Sequence, residues 1–223
     1  MAREKSDPIL GSKVHAHLIS LGIETPMVGK PHLNEGVTPY NLIKSSHAAI
    51  MIALGLDLLD DSLVETPDRV ADMLLQETMF GLNYDNFPKA TTNLNKYHYD
   101  ELVAVNGITV QSMCEHHFQP FIGTASIAYI PKDRVLGLSK FNRIVDFFAR
   151  RPQVQERLTV QISAALRLIL DTEDVAVVIR AEHFCVKLRG VHDACSDTVT
   201  SKLCGKFRSV PELRSEFLAL SRS

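Results

Sequence analysis

Residues 102–130 read LVAVNGITVQSMCEHHFQPFIGTASIAYI. Apolar side chains gather at Leu102, Val103, Val105, Ile108 and Val110. They return, partly alternating, from Phe121 to Ile130, where Pro131-Lys132-Asp133 signals a turn. The two runs predict an antiparallel pair of strands. The connection between them is not an ordinary turn, because Cys114-Glu115-His116-His117 puts one thiol and two imidazoles within four positions.

Working downstream, Ser139 to Arg150 and Gln155 to Leu170 carry apolar residues at helical spacing, and Arg151-Pro152 separates them. Val175 to Ile179 is a buried-strand run that is expected to continue through His183 and Cys185. A last strand is expected over 197–207, and Pro211 opens a short C-terminal helix. The order is strand, strand, helix, helix, strand, strand. It predicts an α+β fold: a four-stranded antiparallel sheet with two helices on one face. The sheet's edge strands invite pairing with other subunits.

Upstream, the chain is mostly helical. Residues 8–22 and 40–56 have near-helical apolar spacing, and Thr66-Pro67-Asp68 reads as a helix start with Thr66 as N-cap, running on to Gly81. A Pro/Gly-rich link spans 25–39. The expected organisation is an N-terminal helical appendage and linker over 1–39, a helical region over 40–98 and a catalytic region with a C-terminal helix over 99–223. His15 and His17 are too isolated to be read as ligands.

Composition narrows the functional classes. With 223 residues, a net charge of −2 and 22% charged residues, nothing general points to nucleic acid or an anionic membrane. No apolar run approaches the ~20 residues needed to span a bilayer, and the N-terminus lacks the apolar core of a signal peptide. The expectation is a soluble, cytoplasmic protein. Four irregularly spaced cysteines suggest metal binding, reactivity or burial rather than a disulfide framework.

The chemistry starts from Cys114-x-x-His117, which is half of a zinc site, with Cys185 as a candidate third ligand. Spacing does not decide between His116 and His117. The plain alternative is a small buried cysteine among satisfied histidines. Three protein ligands and an open position would describe a catalytic metal. If His183 and Cys185 lie on one extended segment they share a face, which sets His183 beside the metal for proton transfer. Gly137-Leu138-Ser139-Lys140 with Arg143 can make a phosphate site at a helix N-terminus. The carboxylate of Glu156, with Gln155 beside it, can accept both N–H donors of a guanine edge. Read alone, each of these two stretches is better explained as an ordinary helix start with solvated charges. Lys187-Leu188-Arg189-Gly190 can add phosphate contacts.

Taken together, Cys114-Glu115-His116-His117, Gly137 to Lys140, Gln153 to Leu158 and His183 to Gly190 resemble the GTP cyclohydrolase I family. So do Glu65 to Arg69 and Arg214 to Leu218, and the resemblance spans roughly residues 40 to 220. It implies the tunnelling fold, toroidal homodecamers with active sites at subunit interfaces, and one zinc ion per subunit. It also implies conversion of GTP and water to 7,8-dihydroneopterin triphosphate and formate, on the way to folate or tetrahydrobiopterin. Neither nucleic acid nor membrane is implied as a partner.

Carried over by residue, the resemblance makes Cys114, His117 and Cys185 the metal ligands and His116 and His183 the proton-transfer pair. Glu156 would anchor guanine, with Gln155 in the same pocket. Ser139, Lys140, Arg143 and Arg189 would serve the ribose and triphosphate, with Leu138 among the substrate contacts and Arg69 reaching in from a neighbouring subunit. Asp72 stands where the family pattern has Lys, which puts one phosphate contact in doubt. Two other classes remain in view: a related enzyme using a Cys nucleophile and NADPH, and a non-catalytic assembly protein stabilised by zinc.

Overall fold

A computed structural model describes residues 5–29, 33 and 35–221. The chain forms two compact units, one of Met1–Thr25 with Gly81–Ser223 and one of Pro26–Phe80.

The smaller unit is built on helices α2 (Pro39–Ala53) and α3 (Thr66–Asp72). Thr38 caps α2 by accepting from the Asn41 amide at 3.1 Å. Asp68 ties the two helices together. It accepts from the Tyr40 hydroxyl at 2.7 Å and pairs with Lys44 at 2.7 Å, which holds its carboxyl below the usual range. The start of α3 lies one position earlier than expected: Glu65 is the N-cap, without a side-chain cap bond, and Thr66 is already helical. The predicted long helix also changes character, because after Asp72 the backbone widens into π turns over Met73–Thr78.

The larger unit begins with α1 (Pro8–Ser20), capped by Asp7. There follow β1 (Thr92–Leu94), β2 (Val103–Cys114), β3 (Pro120–Tyr129), β4 (Arg134–Leu136), α4 (Leu138–Ala149), β5 (Pro152–Gln153) and α5 (Gln155–Leu170). The chain ends with β6 (Val175–His183), α6 (Phe184–Lys187), β7 (Thr198–Leu203), α7 (Lys206–Ser209) and α8 (Pro211–Leu220). The expected strand–strand–helix–helix–strand–strand order is present, but the sheet has five strands and is mixed. Its order is β5-β2-β3-β6-β7, and the extra strand, β5, runs parallel to β2. β1 and β4 form a separate two-stranded ribbon. The predicted 197–207 strand stops at Leu203, where Gly205, at φ 53°, turns the chain into α7.

Alternation places the core. Ile127, Tyr129, Val175, Val177 and Ile179 are buried, as are Phe141, Ile144, Val145 and Phe148 of α4 and Leu158, Ile162, Ala165 and Leu166 of α5. The opposite face is covered at one end, where Phe207 and Phe217 pack on Ala128 and Ala176. In β2 the alternation slips: Val105 pairs with Ile127, but Ile108 pairs with Ala125, so β2 carries one extra residue, a bulge next to Gly107 at φ 67°. Beyond it the buried positions are Ile108, Val110, Ser112 and Cys114. The bulge therefore decides that Cys114 ends β2 facing inward.

At the break between the helices, Arg151 is fully buried. Its guanidinium donates to the Gly81 carbonyl, to Tyr84 Oη at 3.2 Å and to Glu24 at 3.3 Å. It lies 4.8 Å from the Phe147 ring centroid and 5.0 Å from those of Tyr84 and Phe148. Burial raises the Tyr84 pKa, so that hydroxyl stays protonated and donates to Glu24. Gly81 has no room for a side chain, since a Cβ would come within 2.0 Å of the Phe147 carbonyl oxygen.

Arg151→Met leaves the Glu24 carboxylate without its cation. It is expected to destabilise the protein by about 3 kcal/mol, as for other broken buried pairs. Denaturant melts should show that adding Glu24→Gln restores part of the loss, because the two changes act on one contact.

Candidate metal centre

The cluster forms at one end of the sheet. Cys114 closes the inward face of β2, and the chain then turns tightly: Cys114 N–H donates to Gln119 O at 2.8 Å and Phe118 N–H to Cys114 O at 2.9 Å. Phe118 accepts a left-handed φ of 51° to make this turn. Across the sheet β6 ends at His183. The expectation that the strand runs on through Cys185 does not hold, because Cys185 lies in the short helix α6. One helical turn still carries its sulfur to the same place. Donor atoms of Cys114, His117 and Cys185 all lie within 4.8 Å of one another.

Two thiols and an imidazole this close suit a tetrahedral, thiolate-accepting divalent ion such as zinc, with one position left over. Burial, followed by the neighbouring Cys114 sulfur, pushes the Cys185 thiol up. A cation among the three donors would remove that penalty, as both sulfurs could then ionise. All four cysteines are free, so no disulfide competes for Cys114 or Cys185.

Neighbouring groups frame the cluster. His116 is exposed, with Nδ1 3.9 Å from Cys114 Sγ. Arg189, also exposed, reaches back to His117 Nε2 at 2.6 Å. His183 stacks on its cross-strand partner Phe121, with ring centroids 4.7 Å apart at 13°. Gln155 is buried. Its amide nitrogen donates to Ile179 O at 3.0 Å, Thr198 O at 2.9 Å and Thr200 Oγ1 at 3.2 Å. That orientation turns Gln155 Oε1 toward His183 Nε2, 2.7 Å away. The neutral imidazole therefore carries its hydrogen on Nε2, leaving Nδ1 as acceptor. Burial lowers the His183 pKa, and the charge of Glu156 opposes the shift. Glu156 itself is exposed in the first turn of α5.

The remaining candidates lie elsewhere. Leu138, Ser139, Lys140 and Arg143 occupy the start of α4, whose N-cap, Gly137, provides no side-chain cap. Leu138 and Ser139 are exposed, and Lys140 and Arg143 are half-buried. Arg69 belongs to the smaller unit, where it pairs with Glu65 at 2.6 Å on the exposed surface. Asp72, at the end of α3, is exposed.

Three residues next to the cluster escaped the sequence reading. Phe121 could have been found from strand register. Glu115 and Arg157 form an ion pair, and Arg157 also donates to Gln153 at 2.9 Å. Helical spacing gives no signal for that contact, because Gln153 lies in β5, before α5 begins.

Comparison with known proteins identifies the family. A profile of the family described as GTP cyclohydrolase I matches residues 43–222. GTP cyclohydrolase 1 of Citrobacter koseri is 53% identical over 209 residues, 94% of each chain. That of an Enterobacter species is 54% identical over 211 residues, again 94% of each chain. Among solved structures, the archaeosine synthase QueF-Like in its apo form matches with a TM-score of 0.39 and 19% identity, over 46% of this chain and 91% of that one. This chain is an enzyme of the GTP cyclohydrolase I family.

Proposed function

We propose that the protein converts GTP and water to 7,8-dihydroneopterin triphosphate and formate, the first step toward tetrahydrofolate or tetrahydrobiopterin, using one zinc ion per subunit. The observation that carries this reading is the convergence of Cys114, His117 and Cys185 within 4.8 Å in a member of the GTP cyclohydrolase I family. Zinc held by these three would supply Lewis acidity toward water, bringing its pKa close to neutral.

The chain's own residues supply the rest. The exposed Glu156 carboxylate offers two acceptors to the adjacent N–H donors of guanine, a charge-assisted pair that fixes the base. His183, fixed by Gln155 and Phe121, presents Nδ1 for proton transfer at the imidazole ring of guanine. His116 is the second proton carrier, and the several proton transfers of ring opening and reclosure favour two histidines over one. Ser139, with Leu138 beside it, faces the ribose. Lys140, Arg143 and Arg189 hold the triphosphate, with Arg69 contributed by a neighbouring subunit. The triphosphate is unchanged by the reaction, so these contacts orient the substrate. Asp72 adds a negative charge where the family pattern has a cation, which weakens one phosphate contact. The Arg69 role calls for active sites shared between subunits, the family resemblance makes the assembly a homodecamer, and β5 and β7, the edges of the sheet, are available for subunit contacts.

The direct test is incubation of the zinc-loaded protein with GTP, following formate release and the fluorescence of the oxidised pterin. Bound zinc without formate release would overturn the reading. Cys185→Ser should lose both zinc and turnover while the oligomer seen by light scattering is retained. His183→Ala should keep zinc and lose at least about 100-fold in kcat, the usual size of a missing proton-transfer group. Glu156→Gln should lower kcat/KM for GTP by about 10- to 100-fold, as expected for one charge-assisted contact.

A further inference from the structure

Glu115 lies inside the Cys114–His117 turn, and its side chain reaches the first turn of α5. There it pairs with Arg157, whose guanidinium also donates to Pro152 O at 3.1 Å and, through Nε, to Gln153 Oε1 at 2.9 Å. Gln153 is fully buried and uses every polar atom of its side chain. Its amide nitrogen donates to Phe148 O at 3.1 Å and Gln161 Oε1 at 2.8 Å. Its backbone carbonyl accepts from the Glu115 N–H at 3.0 Å. Gln161 extends the chain of contacts by donating to Ile23 O at 2.8 Å. Backbone and side chain of Glu115 are thus both held by one rigid junction. On either side of it stand Cys114, in register with Gln153 across β2 and β5, and the two histidines.

We propose that Glu115, Arg157 and Gln153 form a bracket that sets the conformation of the Cys114–His117 turn and thereby the affinity of the metal site. These are positioning residues, touching neither metal nor substrate. The inference rests on the metal site proposed above. The turn needs such a bracket. It is short, it carries the left-handed Phe118, and both of its histidines are exposed, so packing alone does little to orient them. A charge-assisted contact at Glu115, anchored to a buried amide, supplies the missing restraint.

Zinc affinity of the full-length protein, measured by competition with a chromogenic chelator, tests this together with steady-state kinetics and melting of the zinc-free form. Glu115→Gln and Arg157→Met should each weaken zinc binding by about tenfold or more, in line with other residues that orient ligands. Turnover at limiting zinc should fall with it, with KM for GTP unchanged. Combining the two changes should cost no more than either alone. Arg157→Lys, which keeps the charge but loses the fork, should fall between wild type and Arg157→Met. Unchanged zinc affinity in both single variants, or a lowered melting temperature as the only effect, would overturn the bracket. So would failure of Glu115→Gln to fold, since the pair would then hold the fold and not the turn. Wild-type protein that takes up no zinc would instead overturn the metal site itself.

Discussion

Three polar side chains in alternate positions, Arg151, Gln153 and Gln155, are removed from water at the junction between α4 and α5. A buried polar group left without a partner costs more than a made hydrogen bond returns. Each of the three must therefore find its partners inside the protein, and each finds them on a different element. Arg151 reaches the N-terminal segment and Gly81, Gln153 reaches the Cys114–His117 turn through Arg157, and Gln155 reaches β6, β7 and His183. One short stretch thus couples the helical layer to both halves of the candidate site. Arg151 Nε finds no acceptor, and the three rings around the guanidinium offset that loss in part.

The site depends on this junction because its own elements are weak. The Cys114–His117 turn and the four-residue helix holding Cys185 have little core of their own. Their donors meet because β2, β3 and β6 are in fixed register, and because side chains from α5 fasten the ends of those strands. The resulting division of labour separates the residues that would touch metal or substrate, mostly exposed, from the buried amides behind them.

Much of this was legible in the sequence. Long periodic runs announced both helices and the four main strands, since burial of one face imposes the period. The fifth strand was not legible: two residues, Pro152 and Gln153, carry no period. Nor was the ribbon of β1 and β4, each only three residues long. Cys185 was expected on a strand because the apolar run leads toward it, but chain direction after His183 is set by tertiary contacts. The Cys and His types pointed to a metal, whereas spacing could not choose between His116 and His117. That choice is geometric, made by a turn whose shape depends on Phe118, Gln119 and Glu115. The amide of Gln155 is taken up by backbone carbonyls and His183, contacts that no local pattern encodes.

The bulge in β2 has a genetic corollary. A strand's two faces alternate like the teeth of a zip, and the extra residue beside Gly107 shifts that alternation by one step. Loss or gain of a single codon anywhere between Val105 and Cys114 would put the sequence out of phase, sending Cys114 outward and the exposed Gln111 or half-buried Met113 position inward. Along this strand length is therefore more constrained than residue type, because length sets the face on which Cys114, a candidate metal ligand, arrives. The same codon change in the link before Pro39 would leave Cys114 in phase.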